Sequence, residues 1–299
     1  MSNILIAGGT GFIGIHLSRL LRDTGHEVRH VSRRANRQAE FPAYGWDINS
    51  MTIERDAIAN ADVVINLAGA GIADKRWTKN RKQTIIDSRV KTTSLLAKAI
   101  QEGVTRPKLY INSSAVGYYG NQGDKVCQEN DPPGEGFLSE SCLAWEQSVA
   151  PIQQIGIPTA IVRTGIVLHP QGGALQKMLL PLKFWNSTYF GSGQQWYSWI
   201  HMQDICRIYA YLIEHQLSGT FNAVAPNPAQ NKTLAKTLPR AAGKRALVTP
   251  APAFALRLVF GEMADTILDS TRCSAEKIQA AEFNFQFPEL EEALRDLLR

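Results

Sequence analysis

Asn3-Ile4-Leu5-Ile6-Ala7-Gly8-Gly9-Thr10-Gly11-Phe12-Ile13-Gly14 decides the fold class. An apolar run of strand length enters a glycine turn. From Phe12 to Asp23, Ile13, Leu17, Leu20 and Leu21 then recur at helical spacing. Strand, glycine turn and helix in that order are the setting in which Gly-x-x-Gly-x-x-Gly reads as a dinucleotide cradle. Gly8 permits the tight turn, Gly11 lets the backbone approach a pyrophosphate, and Gly14 lets the helix lie close to the strand. Phosphate oxygens would meet the free N–H groups and positive helix end along Thr10, Gly11, Phe12 and Ile13. The competing reading is a tight turn with no ligand, and the units that follow argue against it.

Working outward, Gly25 fits the stop of the helix and Glu27–Ser32 reads as a second strand. Asp62–Leu67 is a third, its continuous apolar centre typical of a strand buried on both faces. Lys79–Glu102 is a long amphipathic helix, Lys108–Ser113 a fourth strand, Phe137–Ile155 a helix and Thr159–Ile166 a fifth strand. Strands alternating with helices imply an α/β fold, a Rossmann-type doubly wound parallel sheet covered on both faces. Residues 169–198, rich in glycine and aromatics, read as an insertion toward a substrate lobe. Met202–His215 returns to helix and Thr220–Val224 to strand. Beyond Pro226, short helices between Pro239, Pro250 and Pro252 suggest a smaller C-terminal lobe. The expected division is a dinucleotide-binding domain over 1–225 and a substrate lobe over 226–299. Pro288–Arg299 reads as a packing helix.

The end of the second strand selects the cofactor. A carboxylate there would hold the ribose 2′-hydroxyl of NAD. This chain has Ser32, Arg33 and Arg34 instead, a hydroxyl and two guanidiniums suited to a 2′-phosphate, so NADP is the expected cofactor. The alternative for these residues is a solvated basic loop. A formal charge of +5 suits an anionic small ligand, and a small-molecule substrate is the expected partner. No dense Lys/Arg stripe interleaved with aromatics points to nucleic acid. Cys127, Cys142, Cys206 and Cys273 lie far apart without metal-ligand spacing, so neither a metal nor a disulfide framework is expected and a reducing cytoplasm fits. The first residues lack a basic stretch and apolar helix, so no signal peptide is expected. No apolar run is long enough to cross a membrane. Oligomeric state is not legible.

Gly8–Gly14, Asn66-Leu67-Ala68-Gly69, Ser113-Ser114-Ala115 and His201-x-x-Asp204 together resemble the extended short-chain dehydrogenase/reductase superfamily. The chain is most similar to its atypical "epimerase family protein" branch, whose substrates are mostly unassigned. The branch signatures here are Ala73–Thr78, Gly117-Tyr118-Tyr119-Gly120, Trp145-Glu146, Arg163–Leu168 and Trp199-Ile200-His201. From about Thr249 the chain resembles the small domain of unknown function attached to that branch. The resemblance implies that Leu67, Ala68 and Gly69 line the cofactor and that Ser113 and Ser114 close a strand beside the nicotinamide. It further implies contact of the Gly165, Ile166 and Val167 backbone with the nicotinamide amide, and of Asp47 with the adenine edge. Asp47 also reads as a plain turn residue, and Asn66 as a strand-end cap.

The superfamily carries Tyr-x-x-x-Lys on the helix after strand four, one helical face presenting both groups. The lysine lowers the tyrosine pKa for acid–base work. In the family pattern a glutamate follows four residues after the lysine. With Glu146 in that place, Cys142 and Leu138 fall at the lysine and tyrosine positions, and no Tyr-x-x-x-Lys occurs in Gly134–Ile155. The replacements to consider are Ser114 with Tyr118 or Tyr119 for the hydroxyls, and Lys75 or Arg76 for the cation. Ser114, Tyr118 and Lys75 are the favoured set. Cys142 reads as a small buried apolar residue. Asp204 could cap a helix or orient a loop. Trp77, Trp196, Tyr197 and Trp199 read either as a wall over the nicotinamide or as packing core. Two functions stay open: an NADP(H)-dependent oxidoreductase or epimerase on a small polar or nucleotide-sugar-like substrate, or an NADP(H)-binding sensor or scaffold.

Overall fold

In the computed structural model, which describes residues 1–299, the strand β1 (Asn3–Ala7) is buried on both faces. Ile4 and Ile6 join one core and Leu5 and Ala7 another, the alternation expected where helices cover both sides of a sheet. The other strands of the sheet are β2 (Glu27–Ser32), β3 (Ala43–Asp47), β4 (Thr52–Ile53), β5 (Val63–Asn66), β6 (Leu109–Ala115), β7 (Thr159–Thr164) and β8 (Gly219–Ala223). The eight lie in the order β8-β7-β6-β5-β1-β2-β3-β4, with every pairing parallel except β3 with β4. The chain therefore reverses direction of winding between β1 and β5, the crevice where ligands bind in open α/β sheets.

Four helices position the site: α1 (Phe12–Asp23), α2 (Lys79–Gln101), α3 (Phe137–Gln147) and α4 (Met202–Glu214). α1 and α4 cover one face through Leu17, Leu21, Ile205 and Ile208. α2 covers the other through Leu95, Leu96, Ala97 and Ile100. It starts where the Thr78 side chain accepts the Arg81 N–H, closing one of the donors a helix start leaves free.

Four sequence expectations need correction. Ala43–Asp47 is a strand. The helix expected over Phe137–Ile155 ends at Gln147 and restarts as Ala150–Gln154, with Pro151 in the first turn where a missing N–H is harmless. The strand expected over Thr159–Ile166 breaks at Gly165, whose absent Cβ would lie 2.3 Å from the Ser198 carbonyl oxygen. The chain resumes there as Ile166–His169, paired with Trp199–His201. Pro239 does not bound a helix but lies inside Asn231–Ala241. Within 169–198, Asn186–Phe190 pairs in parallel with Leu247–Ala251, so this segment and the C-terminal region share a two-stranded sheet. Leu168, Trp199, Leu234 and Leu294 belong to a third core beneath it.

Candidate functional site

The glycine turn is held from three sides. Gly8 has φ +79°, and a Cβ on it would lie 2.9 Å from the Ala68 nitrogen at the end of β5. A Cβ on Gly14 would lie 2.4 Å from the Gly8 oxygen, so α1 can approach the strand only with glycine there. At Gly11 the sole close neighbour is the Gly8 oxygen at 3.0 Å. α1 starts with no side-chain cap and no acidic residue in its first turn, which leaves its first N–H groups available to an anion.

His30, on β2, is packed beneath the turn, where a Cβ on Gly9 would strike its ring. Ser18 Oγ donates to the Gly14 carbonyl oxygen at 2.7 Å and lies 2.7 Å from His30 Nε2. The hydroxyl's only proton being committed, the ring nitrogen donates and the imidazole is neutral. Burial pushes its pKa down to about 4, against a smaller upward pull from Glu40. Between pH 6.5 and about 4 the unfolded chain thus binds a proton that the folded chain refuses, and stability falls as pH drops through this window, by up to about 3 kcal/mol. Urea unfolding of the parent and of His30→Gln should show the parent losing its advantage as pH goes from 7 to 4.5. A difference independent of pH would remove His30 as the cause.

Arg33 and Arg34, just past β2, are exposed and have no carboxylate partner, whereas nearby Arg37 is engaged by Glu54 and lies over the Tyr44 ring. The Ser32 hydroxyl donates to the Arg34 carbonyl and shapes the loop that presents them. Asp47 is exposed and accepts the Asn49 N–H at 2.8 Å, the turn role.

At the end of β5, Asn66 is fully buried. It donates to Thr93 Oγ1 (3.0 Å) and Asn112 Oδ1 (3.2 Å) and accepts the Ala68 N–H (3.2 Å), so it fixes the bend into Ala68 and Gly69. The Arg89 guanidinium, from α2, lies against Gly69: a Cβ on that glycine would be 3.2 Å from Arg89 Cζ. Arg89 Nη1 donates to the carbonyls of Ala70 (3.1 Å) and Ile85 (3.0 Å), and its Cζ stands 5.0 Å from the Trp145 ring centre.

β6 delivers Ser113 and Ser114, both buried. Ser114 Oγ donates to Glu146 Oε1 at 2.6 Å. Glu146 also accepts from Arg163 Nε (2.9 Å) and Nη2 (2.8 Å) in a two-pronged pair. Arg163 Nη1 donates to Tyr119 Oη (2.9 Å) and the Glu129 carbonyl (3.1 Å), and Tyr119 Oη donates to Asn222 Oδ1 (2.7 Å). Burial alone would depress the Arg163 pKa; the Glu146 pair overrides it and holds it above the usual value. Tyr119 is thereby absorbed into a structural network. Tyr118, its ring 3.5 Å from Arg163 Cζ, keeps a hydroxyl without a protein partner that stays open to solvent. Leu138 packs on Gly117. Burial pushes the Cys142 thiol up to about 11, with Arg89 opposing, so it is no nucleophile near neutral pH.

The other candidates separate. Lys75 is exposed and makes no hydrogen bond or ion pair to Ser114 or Tyr118, and Arg76 reaches Gly261 of the C-terminal region. Tyr197 and Trp199 are core residues, donating to the carbonyls of Ile267 and Asn227. Trp77 packs edge-on against Phe137, and Trp196 donates to Asp124. Asp204 does not cap α4, a role taken by His201, whose ring accepts the Gln203 N–H. Fully buried, Asp204 accepts the N–H groups of Gln286 and Phe287 at 2.9 Å and ties down the C-terminal segment. An open cavity of about 400 Å³ lies between α1 and α4, lined by His16 and Leu20 of α1, Cys206 of α4, His169, His201 and Asp296.

Residues 4–224 match the NAD dependent epimerase/dehydratase family. The chain belongs to that family. Residues 251–297 match a domain of unknown function, DUF1731. An epimerase family protein of Mycobacterium leprae is 37% identical over 97% of this chain and 94% of its own. One of Staphylococcus aureus is 36% identical over the full length of both. Among solved structures, the human epimerase family protein with NADPH superposes with a TM-score of 0.88, at 32% identity over 99% of each chain. A nucleoside-diphosphate sugar epimerase from Corynebacterium glutamicum gives 0.81 at 30% identity, this chain spanning 58% of its length.

On α3, Leu138 and Cys142 are an apolar side chain and a thiol raised by burial; Arg89 bears on that thiol, and Arg163 shares Glu146 with Ser114. Neither was singled out from sequence as a site residue. Arg163 carried a signal, since an arginine inside an otherwise apolar buried strand needs a partner. Arg89 carried none, being one of several basic residues along an amphipathic helix.

Proposed function

We propose that the chain binds NADP(H) and exchanges hydride between its nicotinamide and a small polar, sugar-like carbonyl or alcohol. The observation that carries this is the uncapped α1 N-terminus at the glycine turn together with two unpaired guanidiniums at the end of β2. The residues fit the cofactor. Thr10–Gly14 would hold the pyrophosphate, Ser32, Arg33 and Arg34 the 2′-phosphate, and Asp47 the adenine edge. Leu67, Ala68, Gly69, Ser113 and Gly165–Val167 would hold the nicotinamide half. Bound, the cofactor supplies the hydride chemistry. The 1–225 part acts as the dinucleotide-binding domain and 226–299 as the substrate lobe.

The Ser114 hydroxyl spends its hydrogen bond on Glu146, so toward a substrate hydroxyl it offers an acceptor oxygen. Tyr118 has the free hydroxyl and is the donor. Lys75 is left to approach the substrate from the exposed loop. With no charged acid in contact, turnover of generic carbonyls is slow, since positioned acid–base groups typically contribute about 10²–10⁴-fold. The same feature favours a second reading, an NADP(H)-binding sensor or scaffold without catalysis. NADPH oxidation followed by fluorescence across a panel of carbonyl compounds and nucleotide sugars separates the two.

NADPH should bind roughly tenfold or more tightly than NADH, because only its 2′-phosphate can pair with the guanidiniums. Arg33→Ala should remove most of that gap and leave NADH affinity unchanged. Equal affinities in the parent protein would end the NADP assignment.

A further inference from the structure

Arg89 is a half-buried cation with no counter-ion. No carboxylate pairs with it: Asp74 pairs with Arg81, Asp87 with Lys91, and Glu146 with Arg163. Only Nη1 of its guanidinium is used, on two carbonyls, while Nε and Nη2 make no hydrogen bond and are not sealed from solvent. A guanidinium with solvent-reachable free donors and no counter-ion is available to an anionic or hydroxyl-rich ligand at small desolvation cost.

Its position says which. Leu67 and Ala68 abut the glycine turn, and Arg89 sits one step further along the same loop, against Gly69 and Ala70. Its guanidinium lies by Trp145 of α3, the helix that follows β6, whereas Arg33 and Arg34 follow β2, which lies beyond β1 from β5 and β6. Trp145, over which it lies, shares a face of α3 with Cys142 one turn earlier. A dinucleotide with its pyrophosphate at α1 and its 2′-phosphate at Arg33 would run past β1 toward β6, and would carry its second ribose and adjoining phosphate past Arg89.

Resting on the NADP(H) reading above, we infer that Arg89 is a cofactor-positioning residue, its free guanidinium edge holding the ribose–phosphate of the nicotinamide half. It places on α2 a cation that α3 lacks at Cys142. The planar fork suits a phosphate edge or paired ribose hydroxyls, and its charge is independent of pH.

Calorimetric titration of the full chain with two probes tests this. NADPH spans both halves, and 2′,5′-ADP carries only the adenine half. Arg89→Met keeps an aliphatic stem on Trp145. It should weaken NADPH by about ten- to a hundredfold, the loss of a charged hydrogen bond, and leave 2′,5′-ADP affinity unchanged. Arg89→Lys, which keeps the charge but not the fork, should fall between the parent and Arg89→Met, and it carries the test if the methionine variant does not fold. Unchanged NADPH affinity in either folded variant would overturn the inference, as would equal losses for both probes, which mark a structural role. If the parent binds neither probe, the NADP(H) reading itself falls. If the parent binds both and the variants match it, only the role of Arg89 falls.

Discussion

Arg163→Met is expected to destabilise the fold by about 3–5 kcal/mol, the usual cost of breaking a buried ion pair from one side, and to lower the melting temperature by roughly 10 °C. Arg163 is 4% exposed and its partner Glu146 is 10% exposed. Removing the guanidinium leaves a carboxylate with Ser114 as its one remaining donor, and also strips a donor from Tyr119 and from the Glu129 carbonyl. The damage comes from the orphaned charge more than from the lost attraction, because forming the pair had already cost both ions their hydration. Arg163→Met with Glu146→Leu should therefore be less destabilised than Arg163→Met alone. Thermal unfolding of the four proteins of this cycle decides it. A double variant as unstable as the sum of the single ones would show that the two side chains do not act as a pair.

That network also marks where sequence reading ends. β1, the glycine turn and α1 were legible because their signals are local: an apolar run, three glycines and helical spacing within about a dozen residues. The strand Ala43–Asp47 was not, since Ala-Tyr-Gly-Trp-Asp has neither an apolar run nor clean alternation, and it is a strand because β2 supplies His30 to Ser32 as partners for Ala43 to Gly45. The strand pattern reached Ser113, and the family resemblance placed Ser114 beside it at the end of β6. The destination of its proton was not legible, because Glu146 reaches it from another helix. Asp204 shows the same gap: its sequence position suggested a helix cap, whereas its carboxylate holds backbone N–H groups from the C-terminal segment. Short-range pattern fixes which elements form and which ends face the crevice. Which side chains are already occupied depends on contacts between distant stretches, and occupancy separates Arg89 from Arg81, Tyr118 from Tyr119, and Arg33 from Arg37.

Gly11→Val is expected to abolish NADPH binding while the fold survives. Gly11 precedes α1 with φ −79° and ψ 178°, an extended conformation open to any residue. A Cβ there meets only the Gly8 oxygen, at 3.0 Å, a contact that a few tenths of an ångström relieves. The branched side chain would then fill the space before the uncapped N–H groups of α1, where phosphate oxygens need to lie within about 3 Å of nitrogen. Gly14→Val is the contrasting variant. Its Cβ would lie 2.4 Å from the Gly8 oxygen and 2.7 Å from Gly9 Cα, both backbone atoms that cannot turn aside, so the helix must lift from the strand and stability should drop sharply. In a thermal-shift assay the parent should gain melting temperature with NADPH. Gly11→Val should melt close to the unliganded parent and gain nothing, and Gly14→Val should melt far lower in either condition. A full NADPH shift in folded Gly11→Val would mean that the turn at Gly8–Gly14 is not where the pyrophosphate binds.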